Sequence, residues 1–321
     1  RRGRLRGMRR ADPRILARVV DPGRERGRCF AIPAARRNPA GFMTRPPRSI
    51  LYVPAGRREL LEKAGRAGAD LVIVDLEDGV APDEKDTARE NVRAAVASRI
   101  LGGERPWMLR INAGRSGPHP GDLTVVGYAR PPWVVVPKVE DPGTAGALAS
   151  RFAEHGAMTA LMIETAAGVL AAPSLAAAHP KIAMLIVGSA DLRVSLGARP
   201  DPHRTWERHA LAQVILSARA AGIAAIDSVY FAFKDDAGLR RHAAIGRELG
   251  FDGKSCIHPS QIPVVHEVYA PTPDEVAWAR RVVAAWERGN GAANGVVAMD
   301  GEMVEALHVA LAERILGMKT S

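Results

Sequence analysis

Five carboxylates and two basic side chains stand directly after short apolar runs, and this recurrence is where chemistry can first be read. Asp75, Glu77 and Asp78 follow one run, Arg110 ends a second, Lys138 follows a third, Glu164 a fourth, and Asp191 comes shortly after a fifth. A single acid in such a place is more often a helix cap or a surface charge. A converging set is different, because five carboxylates at one mouth would repel each other unless a cation sat among them. An all-oxygen set with no Cys or His cluster suits Mg²⁺, or alternatively Mn²⁺, held by one or two carboxylates with water and substrate oxygens completing the shell. Arg110 and Lys138 at the same mouth would complement a substrate carboxylate or a developing enolate oxygen.

These residues share a mouth only if the apolar runs are parallel strands of one sheet. From Arg48 onward the chain alternates β-branched runs with helix-like segments, the pattern of repeated βα units. The runs are Ser49–Val53, Asp70–Leu76, Trp107–Ile111, Trp133–Val136, Ala160–Ile163, Ala183–Val187, Ala224–Ile226 and Lys254–Ile257. Eight strands spread over about 210 residues fit a (β/α)₈ TIM barrel better than a six-stranded open sheet. No GxGxxG follows the first run, which removes the dinucleotide-binding alternative. Helices are expected over Arg57–Ala67, before Gly68, and over Asp83–Ser98, after Pro82. Two further helices, one from the Pro271–Asp274 cap to about Trp286 and one near Met303–Leu316, exceed the barrel's needs and read as a lid or a subunit contact. The expected domains are a disordered tail over 1–44, a catalytic α/β barrel over 45–270 and a C-terminal helical segment over 271–321.

Charge narrows the partners. The 321-residue chain carries a formal +10, and residues 1–42 hold 13 Arg and no Lys against three acids, so the remaining chain is neutral. A neutral body lacks the basic face that nucleic-acid binding needs. The Arg-rich tail has no amphipathic period and no Ser, which argues for disorder and against a transit peptide; it reads as an extension upstream of Met43. Cys29 and Cys256 cannot make a disulfide framework, and no apolar stretch reaches the roughly 20 residues that span a bilayer, so a cytoplasmic protein without a membrane partner is expected.

Seven ordered blocks, RSILYVPA, ADLVIVDLEDGVAPDEK, LRIN, PKVE, IETAAG, GSADL and GFDGKSCIHPSQ, resemble the HpcH/HpaI aldolase and citrate lyase beta-subunit family from about Arg48 to Leu316. The resemblance implies a TIM barrel with Mg²⁺ bound directly by Glu164 and Asp191, and with Asp75, Glu77 and Asp78 around it as a supporting shell. It implies a substrate carboxylate and enolate contact for Arg110, and a role for Arg57 and Lys63 in holding a CoA or acyl-carrier-protein thioester arm. The implied reaction cleaves the carbon-carbon bond of a β-hydroxyacyl-CoA of malyl or citramalyl type to acetyl-CoA and an α-keto acid. Family members of this kind act as homo-oligomers, trimers or hexamers, in which a C-terminal aspartate covers a neighbouring subunit's site. Glu305 stands at that position here.

The chain departs from the family pattern at Ala55, Ala167 and Ser195, where glycine, arginine and aspartate are usual. Two other functions stay open: the β subunit of a citrate lyase acting on citryl-acyl-carrier protein, and an inactive barrel kept for binding or regulation. Outside the main set, His258 and Gln261 read as turn residues, His119 as a loop cap, Cys256 as a buried inert thiol, and Asp227 as either a mouth residue or a helix cap.

Overall fold

The computed structural model describes residues 46–102, 106–114 and 117–318; the tail expected over 1–44 lies outside them. Each β-branched run becomes a strand: β1 Ser49–Pro54, β2 Leu71–Asp75, β3 Trp107–Arg110, β4 Trp133–Val136, β5 Met158–Ile163, β6 Ile182–Val187, β7 Ala224–Asp227 and β8 Gly253–Cys256. All eight pair in parallel with their neighbours in sequence, and β8 returns to β1, so the sheet closes into a (β/α)₈ barrel. The intervening helices are α1 Arg58–Ala64, α2 Lys85–Ala97, α3 Pro120–Ala129, α4 Pro142–Ala153, α5 Ala166–Ala177, α6 Ser189–Leu196, α7 Arg208–Ala221, α8 Asp236–Leu249 and α9 Gln261–Tyr269. Where the sequence implies a helix from Asp83, Pro82–Glu84 forms one 3₁₀ turn that hands over to α2 at Lys85.

Side-chain alternation along each strand sorts the apolar residues into two layers. One inward set, including Ile50, Ile73, Met108, Trp133, Val135, Ala160, Met162, Ile186 and Ile226, fills the barrel. The outward set, including Leu51, Val72, Leu109, Val134, Leu161 and Leu185, packs beneath the helices. The inward stack matters for function because its next layer toward the carboxyl ends is polar.

The outer layer also holds a buried polar network. Asp227 ends β7 but faces the helices, neither lining the mouth nor capping a helix. Its carboxylate accepts two hydrogen bonds from Arg204 at 2.8 and 2.7 Å and one from Lys254 at 3.0 Å. Arg204 also binds Glu207 at 2.6 Å, and Lys254 meets His242 at 2.8 Å. Burial alone would raise the Asp227 pKa, but Arg204 and Lys254 outweigh it and hold the carboxyl well below its ordinary range.

Beyond the barrel, α10 Pro273–Arg288 opens with a capping box between Thr272 and Glu275. After the short α11 Gly291–Asn294 comes a hairpin, β9 Val296–Met299 and β10 Glu302–Glu305, then α12 Ala306–Met318. Met303, expected to start a helix, is therefore in a strand. Asp300 and Gly301 both adopt positive φ, 53° and 86°, as a tight hairpin turn requires. This segment has its own small core of Ala279, Val282, Ala285, Val297, Val304 and Ala312. It is tied to the barrel by Arg247 to Glu275 at 2.5 Å and Arg314 to Asp252 at 2.6 Å. No helix of the described residues is long and apolar enough to cross a membrane.

The network around Asp227 makes a stability prediction. Arg204→Ala would leave Asp227 and Glu207 buried with their shared cation gone, and should cost about 3–5 kcal/mol in denaturant unfolding. A loss below about 1 kcal/mol would show that the network contributes little.

Candidate active site

The alternation that puts Ile73 and Met108 inside the barrel puts Asp75 and Arg110 on top of them. These two are register partners across β2 and β3. Arg110 donates from Nε and Nη2 to the two oxygens of Asp75, both at 2.7 Å, in a bidentate pair buried at the mouth. Its guanidinium carbon lies 5.0 Å from the ring centre of Tyr52, which points inward from β1 two residues after Ile50. Nη1 approaches Met162 Sδ at 3.7 Å and Glu77 Oε2 at 2.8 Å; the latter is an ion pair without an aligned hydrogen bond. Asp75 further accepts from the backbone N–H groups of Glu77 and Gly79, which folds the Leu76–Gly79 turn back over the pair.

That turn is anchored from below. Lys85 Nζ donates to the carbonyls of Leu76 and Glu77 at 2.7 and 2.6 Å, and Asn112 Nδ2 to Leu76 O at 2.7 Å. Asn112 is itself held by Asp122, which Arg89 pairs at 2.7 Å. Glu77 and Asp78 are thereby presented to Lys138, whose Nζ lies 2.5 Å from Glu77 Oε1 and 3.4 Å from Asp78 Oδ2. Lys138 has φ +51°, a left-handed conformation unusual for a residue with a side chain, and in it the backbone N–H donates to Glu164 Oε1 at 2.7 Å.

Glu164 stands two residues beyond Met162 on the same inward-facing line and is 2% exposed. Burial, then the nearby Glu77 and Asp191 charges, push its carboxyl up to about 8, against the Lys138 N–H and Arg110. Asp191 comes from the first turn of α6, which begins where Gly188 passes against Glu164. A side chain at position 188 could not be accommodated: its Cβ would sit 2.6 Å from Glu164 Cβ. Ser195, further along α6, accepts a hydrogen bond from the Ala166 N–H at 3.0 Å, joining α6 to the start of α5.

The five-carboxylate repulsion expected from sequence is thus smaller than it looked. Asp75, Glu77 and Asp78 already have Arg110 and Lys138 as partners, which leaves Glu164 and Asp191 as the two without an ion-pair partner among the described residues. Among the described residues no group of three or more His, Cys, Asp or Glu side chains is placed to hold a metal by itself. Two carboxylates are the number of protein ligands that suits a hard cation which keeps water or substrate oxygens.

Residues 48–259 match the family model for HpcH/HpaI aldolase/citrate lyase. The chain belongs to that family. A (3S)-malyl-CoA thioesterase of Cereibacter sphaeroides is 38% identical, covering 84% of this chain and 94% of its own. The mitochondrial citramalyl-CoA lyase of Homo sapiens is 30% identical, covering 86% of each. The crystal structure of Mycobacterium tuberculosis CitE in complex with magnesium, acetoacetate and coenzyme A matches with a TM-score of 0.73 at 35% identity, over 87% of this chain and 99% of that one.

Other positions that the HpcH/HpaI pattern singled out are placed less compactly. Arg57 is exposed at the start of α1, at the mouth, but Lys63 lies six residues along that helix, about 9 Å away in rise and turned to another face. Glu305 is exposed at the end of β10, where its N–H donates to His308, and no described hydrogen bond or ion pair links it to Arg110, Glu164 or Asp191 of its own chain. His119 caps α3, Gln261 ties Ile257 to Tyr230, and burial pushes the Cys256 thiol up to about 12. Tyr52, Lys85 and Gly188 were missed by the sequence reading. Tyr52 had a signal, its spacing from Ile50 on β1; Lys85 and Gly188 act through backbone contacts that spacing does not reveal.

The raised Glu164 pKa has a testable sign. An unfolded glutamate ionises near 4.3, whereas folded Glu164 keeps its proton to about 8, so folding is favoured at low pH and loses stability as pH rises through that window. In metal-free protein, Glu164→Gln should remove this loss, of about 1 kcal/mol per pH unit. Its unfolding midpoint should exceed the wild-type value by more at pH 8 than at pH 5; a gap independent of pH would contradict the assignment.

Proposed function

We propose that this chain is a Mg²⁺-dependent carbon-carbon lyase that cleaves a malyl- or citramalyl-type β-hydroxyacyl-CoA to acetyl-CoA and an α-keto acid. The observation that carries the reading is the fixed Arg110 guanidinium beside the buried Glu164 and the half-buried Asp191, neither of which has an ion-pair partner among the described residues. Magnesium fits there because Glu164 sits among like charges and because two acids leave room for substrate oxygens. When bound, the ion would supply Lewis-acid polarisation of the hydroxyl and carboxylate of the acyl group.

The protein's own residues have separate tasks. Glu164 and Asp191 would hold the ion, and Glu77 and Asp78, fixed by Lys138, would order water around it. As the substrate hydroxyl gives its proton to solvent, which later returns one at carbon, the hydroxyl-bearing carbon becomes the keto carbonyl and the adjacent C–C bond breaks. The bond's electron pair passes to the thioester fragment as an enolate. Arg110, its plane fixed by Asp75, would stabilise this charge with the N–H of Nη2 that Asp75 does not engage. Protonation at carbon then gives the acetyl thioester. Arg57 would meet the thioester arm from the start of α1, and Lys63 would contribute from further down that helix. Glu305 would act on the site of a second copy in a homotrimer or hexamer, the C-terminal segment serving as the covering element. A reducing cytoplasm suits the free, buried Cys256 thiol.

Thioester hydrolysis is a second reading, favoured by the similarity to (3S)-malyl-CoA thioesterase. Citryl-carrier-protein cleavage would use the same groups but would need partner subunits. Incubating the protein with Mg²⁺ and a panel of β-hydroxyacyl-CoA esters separates them by product. The lyase releases acetyl-CoA with glyoxylate, pyruvate or another keto acid; a thioesterase releases free CoA and the intact hydroxy acid. Arg110→Lys cannot form the bidentate bond to Asp75 and should lower kcat by about 10²–10³ while leaving Mg²⁺ binding nearly unchanged. Equal activity in that variant would remove Arg110 from the chemistry.

A further inference from the structure

Tyr52 has no task in the lyase reading, yet it stands directly beneath the group on which that reading turns. Its register partner across β1 and β2 is Ile73, two residues before Asp75, and Ile73 pairs with Met108, two residues before Arg110. The phenol therefore belongs to the top of the apolar filling, where it packs, partly buried, on the inward-facing cluster. Its ring lies under the Arg110 guanidinium, with 5.0 Å between ring centre and Cζ. Ser255, whose hydroxyl neighbours the phenol, is buried with Oγ unpartnered. The ring, rather than the hydroxyl, is thus what Tyr52 commits to the mouth. Burial, opposed by Arg110 and reinforced by Asp75 and Glu164, raises the phenol's pKa, so the face presented to Arg110 is a neutral π system.

Asp75 holds Arg110 through two in-plane bonds, from Nε and from Nη2, each 2.7 Å. Two bonds to one carboxylate set the plane, but the guanidinium can still hinge about the line through the two acceptor oxygens. Met162 Sδ at 3.7 Å and Glu77 Oε2 at 2.8 Å meet only the Nη1 end. Opposing the hinge takes a contact on the face, which the Tyr52 ring supplies, and an electron-rich ring adds an attraction that a hydrocarbon of equal bulk lacks. We propose that Tyr52 is a positioning residue whose ring face holds the Arg110 guanidinium at the tilt where the Nη2 N–H left free by Asp75 meets the developing enolate oxygen. This rests on the lyase reading and deepens it. Part of the preorganisation credited to Arg110 then belongs to a residue that needs no contact with substrate.

Three variants of the full chain separate ring, hydroxyl and bulk. Tyr52→Leu removes the π face and Tyr52→Phe removes only the hydroxyl. Pentafluorophenylalanine at position 52 keeps the shape of the Phe variant and reverses the ring's charge distribution, so it serves even where Tyr52→Leu fails to fold. With an acyl-CoA that the wild type cleaves, kcat should fall roughly tenfold in the Leu and pentafluoro variants and be kept within about twofold by Tyr52→Phe, with KM unchanged in all three. In an Arg110→Lys background, Tyr52→Leu should cost less than about twofold. A second readout needs no substrate: in ¹⁵N-resolved NMR spectra the Arg110 side-chain N–H signals, assigned by their loss in Arg110→Lys, should stay resolved in wild type and Tyr52→Phe and be averaged by faster guanidinium motion in the other two. The proposal is overturned if Tyr52→Phe loses as much as Tyr52→Leu, if Tyr52→Leu costs the same in both backgrounds, or if the Arg110 signals are indifferent to the ring. A wild-type chain that cleaves no thioester would defeat the lyase reading, and the NMR comparison would still decide whether the ring orients the guanidinium.

Discussion

A guanidinium can lie buried at the top of a barrel's hydrophobic filling only where a carboxylate meets it squarely, and the Arg110–Asp75 pair is that meeting. Breaking it would strand a charge against Met162 and Tyr52. Keeping it fixes the plane and position of the guanidinium before substrate arrives. Asp75 is also the acceptor on which the Leu76–Gly79 turn folds, so one carboxylate orients the basic group and positions Glu77 and Asp78. The mouth is therefore a rigid polar layer continuous with the apolar layers beneath it.

Charge bookkeeping then separates the acids that have basic partners from those that do not. The acids on the Leu76–Gly79 turn have basic partners within ion-pair distance, and Asp75 has Arg110. Glu164 and Asp191 are brought together by a glycine and by the first turn of α6, and burial opposes ionisation of Glu164. Stability is given up at that point, which is common where a site awaits a charged ligand. The Asp227–Arg204–Lys254 network shows the contrasting case: buried, with a cation on each oxygen of Asp227, and turned away from the mouth toward the helices.

Much of this was legible in the sequence, for identifiable reasons. Strands of a parallel barrel are buried on both faces, so they read as continuous apolar runs, and the polar residue after each run marks the carboxyl end. That placed Arg110, Lys138 and Glu164 by simple adjacency. Adjacency failed where direction matters: Asp227 also ends a strand, but its alternation with the inward Ile226 turns it outward. The hairpin before α12 was missed although Asp300-Gly301 is a strong turn signal, because the apolar residues of β9 and β10 merge with the helical pattern on either side. Pairing could not be read at all. That Lys138 pairs with Glu77 and Asp78 depends on contacts between residues about 60 apart in the chain.

The central claim is that Glu164 and Asp191 share one divalent cation, and calorimetric titration of Mg²⁺ into the metal-free chain at pH 7, in buffers of different ionisation enthalpy, tests it most directly. The account predicts one ion per chain with nearly one proton released, since Glu164 titrates at about 8, and loss of both signals in Glu164→Gln. In Asp191→Asn the affinity should also collapse. Mg²⁺ binding of undiminished affinity in either variant would contradict it.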